Sequence, residues 1–227
     1  MFQSKKLFFL VVFILNTAAV QAVTMTEMYV MLKRTWQNSK DVGGVAPLSR
    51  FVCQEIVSQM PQEESLDGRH YLEVGAGCGT TTEYIVQNLK DNDHLVLIEV
   101  DIEMCEFLKH RYQDKHNVTV CCCSITEWKS DQKYDAIIST LPFNSFDVQF
   151  AQQTMNVFHQ VAKPDCVVTY VECPIVKQIC KYFFSKKKRQ KFEKVQSFLQ
   201  VIRENHLIAS KTIYTNIPPI EVHHLSF

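Results

Sequence analysis

Tyr71-Leu-Glu-Val-Gly-Ala-Gly-Cys-Gly-Thr-Thr-Thr82 joins a short apolar run, broken by one acid, to three glycines on alternate positions and a polar helix start. Physically it reads as a strand, a tight turn and the N-terminus of a helix. Gly75, Gly77 and Gly79 permit a sharp turn and a close ligand approach that a Cβ would block. The free N–H groups of the helix start lie beside that approach. A glycine turn with no ligand is the plain alternative, and two features stand against it. The spacing is Glu-x-Gly-x-Gly-x-Gly, not the Gly-x-Gly-x-x-Gly of dinucleotide binders. A second strand, His94-Leu-Val-Leu-Ile98, then ends in Glu99 about 20 residues on, where a carboxylate can grip a ribose diol.

Strands and helices alternate on both sides of this stretch. Ahead of it, Leu48, Phe51, Val52, Ile56 and Met60 fall on one helical face, after a Gly43-Gly44 turn and Pro47. Behind it, Thr80 to Leu89 forms a crossover helix with Tyr84, Ile85 and Leu89 inward. Asp101 is placed to N-cap the next helix, whose inner face holds Met104, Phe107, Leu108 and Tyr112. Val118-Thr-Val120 opens strand three, Tyr134-Asp-Ala-Ile-Ile-Ser139 is strand four, and Cys166-Val-Val-Thr-Tyr-Val171 is strand five, continuing through Glu172. Phe150, Thr154, Val157, Phe158 and Val161 recur at a helical period between the last two. A helix with Val195, Phe198, Leu199 and Ile202 inward precedes two terminal strands, Ile208 to Tyr214 and Glu221 to Leu225. Asn216-Ile-Pro-Pro219 is a rigid, extended connection between those strands. The order predicts an α/β fold.

A chain of 227 residues with 46% apolar content can bury one good core. Lys+Arg and Asp+Glu both number 24, so no net charge steers the protein onto nucleic acid. The nine cysteines include no spaced Cys-x-x-Cys pairs. Cys121, Cys122 and Cys123 read as reduced thiols in a strand. His223 and His224 point to opposite faces, so no metal is expected. Residues 1–24 form a separate segment ahead of a domain over 25–227. Lys5-Lys6, the apolar run Leu7 to Leu15 and Val20-Gln-Ala22 have the layout of a secretory signal. Leu7 to Val23 is also just long enough to cross a thin bilayer. Cleaved signal, uncleaved anchor and a start placed too early all stay open. Thr26 to Lys40, with Met28, Met31, Leu32 and Trp36 as its stripe, is either an ordinary packed helix or an interfacial one. Ser185-Lys-Lys-Lys-Arg-Gln190 beside Tyr182-Phe-Phe184 suits a solvated face, an anionic membrane surface or a phosphate backbone.

The glycine loop together with Glu99 resembles motif I and the ribose-binding acid of class I S-adenosylmethionine-dependent methyltransferases. Three further stretches resemble the bacterial phospholipid N-methyltransferases, themselves similar to the ribosomal RNA adenine dimethyltransferases. These are Val45-Ala-Pro-Leu-Ser-Arg50, Thr140-Leu-Pro-Phe-Asn144 at the end of strand four, and Asn216-Ile-Pro-Pro219. The RNA enzymes place an Asn where Thr140 stands, and that Asn binds the target amine. At the end of strand three the family's Gly-Asp-Ala is replaced by Cys122-Cys123-Ser124.

The resemblance implies a Rossmann-like seven-stranded sheet, mostly parallel, with an antiparallel C-terminal hairpin and helices on both faces. It implies S-adenosylmethionine as cofactor, held by Glu73, Gly75, Ala76, Gly77, Gly79, Glu99, Val100 and Ser124. It implies a substrate side formed by Ser49, Arg50, Leu141, Pro142 and Phe143. Asn144, Tyr170 and Glu172 are the candidates for catalytic work; Glu172 near a strand end reads as a proton acceptor or, the better reading, as half of a salt bridge, and Phe143 and Tyr170 either as rings for a methylated ammonium or as core. The implied reaction is methylation of the amine of phosphatidylethanolamine toward phosphatidylcholine, on the cytoplasmic face of a membrane whose anionic lipid is a partner. Export after signal cleavage is the alternative localisation. RNA adenine N6-methylation and an inactive cofactor-binding scaffold are the rival functions; nucleic acid is not expected as a partner.

Overall fold

A computed structural model describes residues 48–63, 65–176 and 184–227. The readings made for residues 1–47 and for Tyr182 and Phe183 lie outside them. Seven strands form one sheet in the order β3-β2-β1-β4-β5-β7-β6. They are β1 (His70–Val74), β2 (His94–Glu99), β3 (Val118–Cys122), β4 (Tyr134–Ser139), β5 (Ala162–Glu172), β6 (Leu207–Ile213) and β7 (Ile220–Ser226). The first five run parallel, whereas β7 is antiparallel to both β5 and β6. Helices α1 (Arg50–Val57), α2 (Thr80–Asn88), α3 (Ile102–Arg111), α4 (Val148–Val161) and α5 (Lys186–His206) cover the two faces. This is the fold that the alternating order predicts.

Strand alternation sorts the core into two layers. Tyr71, Leu95, Leu97, Ala136, Ile138 and Val222 meet Val52, Ile56, Ile85 and Leu108 of α1, α2 and α3. Leu72, Val74, Ile98, Ile137, Val168, Tyr170 and Leu225 meet Phe158, Val195 and Leu199 of α4 and α5. Asp101 caps α3 as expected, accepting from the Glu103 and Met104 amides at 3.0 and 3.3 Å.

Four expectations need correction. Phe51 turns outward, 38% exposed, with the Arg50 guanidinium 4.7 Å from its ring centre. A stacked cation compensates an aromatic face left in water. β5 starts at Ala162, directly after α4, four residues earlier than its apolar run indicates. The cation run lies inside α5 as its first turns, capped by the Ser185 hydroxyl, because Lys and Arg are good helix formers. Cys122, read as a reduced thiol, is bridged to Cys105 of α3, the two Cα atoms 5.9 Å apart. Cys121 and Cys123 are free.

Candidate active site

The glycine loop leaves β1 with Gly75 at φ 82° and Gly77 at φ 56°, conformations that side chains resist. The Gly75 amide donates to the Ile98 carbonyl at 2.8 Å, which fixes the loop to the end of β2. A Cβ on Gly75 would stand 3.0 Å from the Leu141 side chain. One on Gly77 would meet nothing nearer than 4.0 Å, so the loop is open on that side. Ala76 lies buried within it, and Gly79 precedes α2.

Two carboxylates flank the loop. Glu99 closes β2 and is 8% exposed. One oxygen accepts from the Gly77 amide at 2.8 Å, and the other from the Val100 and Asp101 amides at 2.8 and 2.9 Å. The acid at the second strand end thus faces the glycine loop, as the spacing indicated. Val100 is 70% exposed beside it. Ser124, at the end of β3, shares a hydrogen bond of 2.9 Å with the Thr126 hydroxyl and opens a turn.

Glu73 is fully buried. Thr82 donates to one of its oxygens at 2.6 Å; the other is buried with no hydrogen-bond partner among the described residues. Burial pushes its carboxyl up to about 8; the Thr82 hydrogen bond opposes this and the Glu99 charge adds to it. The sequence gives no sign of this proton. A buried acceptor without a partner and an open glycine turn beside it fit a cofactor that presents an ammonium and a ribose.

The loop after β4 lies against the glycine loop. Thr140 donates from its hydroxyl to the Gly75 carbonyl at 2.7 Å and from its amide to the Val74 carbonyl at 3.1 Å. Leu141 and Pro142 are half-buried, and Pro142 leads into a short 3-10 turn, Phe143–Ser145. Phe143 is fully buried, edge-on to Tyr170 with ring centres 5.8 Å apart. Tyr170 is fully buried too, its ring tilted by 34° against that of His223 with centres 5.0 Å apart. Both rings follow the core reading rather than the ammonium-binding one.

The three catalytic candidates meet in one polar network beneath α5. Glu172 is 3% exposed and ion-paired with Arg203. It also accepts from Gln196 Nε2 at 2.6 Å, and His223 Nε2 stands 3.3 Å away. Arg203 donates to the Tyr170 hydroxyl at 2.8 Å. Gln196 Nε2 donates as well to Asn144 Oδ1 at 2.7 Å. Burial works to raise the Glu172 carboxyl, but the adjacent His223 ring, the Gln196 hydrogen bond and the Arg203 charge outweigh it and hold the group below the usual carboxylate range. So Glu172 follows the salt-bridge reading and is a poor proton acceptor at neutral pH. Burial also raises Tyr170, with the Glu172 charge adding to it, so its hydroxyl keeps its proton.

Two distant stretches with family resemblance are also in contact. The Ser49 amide donates to Asn216 Oδ1 at 2.8 Å, and Asn216 Nδ2 donates to the Pro218 carbonyl at 2.7 Å. Ser49 is fully buried, whereas Arg50 is exposed. His224 bonds to the Thr169 hydroxyl at 2.8 Å and His223 to Ser210 at 2.9 Å, on opposite faces of β7. Among the described residues no group of three or more His, Cys, Asp or Glu side chains is arranged to hold a metal. Sequence reasoning missed Thr82, Gln196, Arg203 and Asn216. Asn216 lies in a stretch with family resemblance, and the seven-residue spacing of Gln196 and Arg203 puts both on one helix face.

A parallel sheet extended by an antiparallel final strand, a glycine loop after β1 and an acid closing β2 define a class I S-adenosylmethionine-dependent methyltransferase, and S-adenosylmethionine is its cofactor. Residues 72–165 match a methyltransferase domain family. The chain is 23% identical over 146 residues to the ornithine lipid N-methyltransferase of Singulisphaera acidiphila, a match covering 62% of this chain and 74% of that protein. It is 29% identical over 122 residues to the ribosomal RNA small subunit methyltransferase A of Coxiella burnetii, covering 52% of this chain but 42% of that protein. The match to the ribosomal enzyme therefore spans less than half of its length. The N-methyltransferase NodS of Bradyrhizobium japonicum shares the fold, with a TM-score of 0.61 at 12% identity over 78% of this chain and 94% of its own. A second structure of NodS, in complex with S-adenosyl-L-homocysteine, has a TM-score of 0.60 at 12% identity over 84% and 90%.

Proposed function

We propose that the chain methylates the amine of an amino-lipid headgroup, with phosphatidylethanolamine as the substrate. The observation that carries this reading is the state of Thr140. It occupies the position where the similar RNA enzymes keep an amine-binding Asn, and its hydroxyl is spent on the Gly75 carbonyl. The lipid-modifying relative, matched over most of its length, supports the same choice.

The roles follow from the geometry. Gly75, Ala76, Gly77 and Gly79 shape the cofactor cradle, with Glu73 facing the cofactor ammonium and Glu99 its ribose. Val100 and Ser124 flank the nucleoside end, and Ser49, Arg50, Leu141 and Pro142 border the substrate side. The cofactor supplies a methyl group already activated on a sulfonium, so the protein's task is alignment and exclusion of water. With Glu172 ion-paired and Tyr170 protonated, no catalytic candidate offers a free base, and the amine enters the site neutral.

The first turns of α5 face outward, with Lys186, Lys187 and Lys188 exposed and Lys188 Nζ 5.9 Å from the Phe184 ring centre. At roughly 1 kcal/mol per cation, an anionic leaflet would hold this end of the helix on the cytoplasmic face of a membrane. Among the described residues no helix is long and apolar enough to cross a bilayer. Incubating the protein with labelled S-adenosylmethionine and either phosphatidylethanolamine vesicles or RNA tests the reading. Label in lipid is expected; label in RNA alone would replace it with adenine methylation.

Glu73 gives a second test. S-adenosylhomocysteine binding at pH 7 is expected to release close to one proton, because pairing with an ammonium ionises a carboxyl that sits at about 8 in the free protein. Calorimetry in buffers of different ionisation enthalpy measures this, and Glu73→Gln should release none. The stability sign is fixed too. A raised carboxyl stabilises the fold below its unfolded value of 4.5, and that contribution is lost as pH rises toward 8.

A further inference from the structure

An asparagine beside a substrate amine can offer it a carbonyl, but the network around Asn144 prevents that. The reason begins with Glu172. An ionised carboxylate only accepts hydrogen bonds, so the Gln196 atom 2.6 Å from it must be the amide nitrogen. That nitrogen has two hydrogens. One goes to Glu172 and the other to the Asn144 atom 2.7 Å away, which must therefore be Oδ1. The orientation holds even though it leaves Gln196 Oε1 buried without a partner among the described residues. Turning the Gln196 amide over would aim that oxygen at the carboxylate, which is worse. Burying an acceptor without a partner is unfavourable, so the arrangement is maintained against a penalty. Asn144 itself is half-buried, and its Nδ2 has no partner among the described residues. Its carbonyl is consumed inward, and its NH2 is what remains for a substrate.

We propose that Asn144 binds an oxyanion next to the reacting amine, not the amine itself, and that Gln196 is the positioning residue that fixes it in that orientation. The ligand is a headgroup carrying both an amine and an oxyanion, such as the phosphodiester of phosphatidylethanolamine or the carboxylate of an ornithine lipid. Recognition of this kind selects zwitterionic headgroups over plain amines, because a donor left facing a substrate without an acceptor loses its hydrogen bond on binding. The inference rests on the lipid reading above and adds the headgroup feature that the site recognises.

Asn144→Asp distinguishes the two orientations by the sign of its effect. The variant keeps an oxygen for Gln196 and replaces the outward NH2 by a second carboxylate oxygen. With phosphatidylethanolamine or ornithine lipid vesicles, the expected result is a rise in KM of about tenfold or more, with kcat changed much less. S-adenosylhomocysteine affinity, measured by calorimetry, should stay at the wild-type value and serves as the check on folding. Gln196→Met, which frees Asn144 to rotate, should raise KM in the same direction, and ethanolamine should compete less well than O-phosphoethanolamine against the wild type. A rise with only one of the two lipids identifies the oxyanion as phosphate or carboxylate. An unchanged or lowered KM for Asn144→Asp overturns the proposal, since a carboxylate facing the amine would bind it more tightly. A KM rise accompanied by an equal loss of S-adenosylhomocysteine affinity also overturns it, as a merely structural effect. Wild-type protein that binds S-adenosylhomocysteine but methylates neither lipid overturns the lipid reading and this inference with it.

Discussion

Glu99→Ala is expected to weaken S-adenosylhomocysteine binding by about 100-fold, from a lost charge-assisted hydrogen bond to the sugar diol together with loosening of the loop that the carboxylate holds. The substitution removes more than a ligand contact. The carboxylate also gathers the amides of Gly77, Val100 and Asp101, so it ties the glycine loop to the turn after β2. Without it, three backbone donors must find water and the cradle loosens. Glu99→Gln separates the two roles. Its carbonyl oxygen can still accept from the loop, but its NH2 faces either the loop donors or the sugar badly. Affinity of this variant should fall between wild type and Ala, while its urea midpoint stays closer to wild type. Equal affinity for Glu99→Ala and wild type would remove Glu99 from the cofactor site.

Arg203→Met is expected to have the largest effect on stability, about 3–5 kcal/mol at pH 7. Removing one partner of a buried pair leaves the other charge uncompensated. Glu172 is 1% exposed at its side chain and Arg203 15%, so little water reaches the pair. Gln196 and His223 remain beside the carboxylate, which places the expected loss toward the lower end of the range. The pH dependence has a definite sign. Glu172 is held below its ordinary value of 4.5, so its contribution is present above that pH and fades as acid protonates it. The gap between variant and wild type in urea denaturation should therefore narrow as the pH falls below 4.5. A gap that stays constant with pH would mean that packing of the Arg203 stem, not the charge, is what was lost.

The sheet was legible because both of its signals are local. An apolar run of five or six residues followed by a helical stripe needs no knowledge of distant partners, and Glu73, the glycines and Glu99 fall within one βαβ unit. The substrate side was less so. Gln196 is an unremarkable polar residue on a helix until Asn144 and Glu172, 52 and 24 residues away, are seen to converge on it. Glu172 alone admits a salt bridge or a base, and only the arrival of Arg203 and His223 decides between them. Phe51 misled for a related reason: helical spacing assigns it inward, but a neighbouring guanidinium lets it stay at the surface. Cys122 misled because its partner lies on another element, 17 residues earlier.

The hydrogen bond between the Ser49 amide and Asn216 has a consequence for the order of events during synthesis. Its partners are separated by 167 residues, so the start of α1 is fastened by a side chain that leaves the ribosome long after it. Nascent protein can pair its parallel strands and shape the nucleoside cradle well before that moment. The contact at Ser49 must await release of β7 and the turn before it, so the start of α1 is fastened only after the cradle has formed.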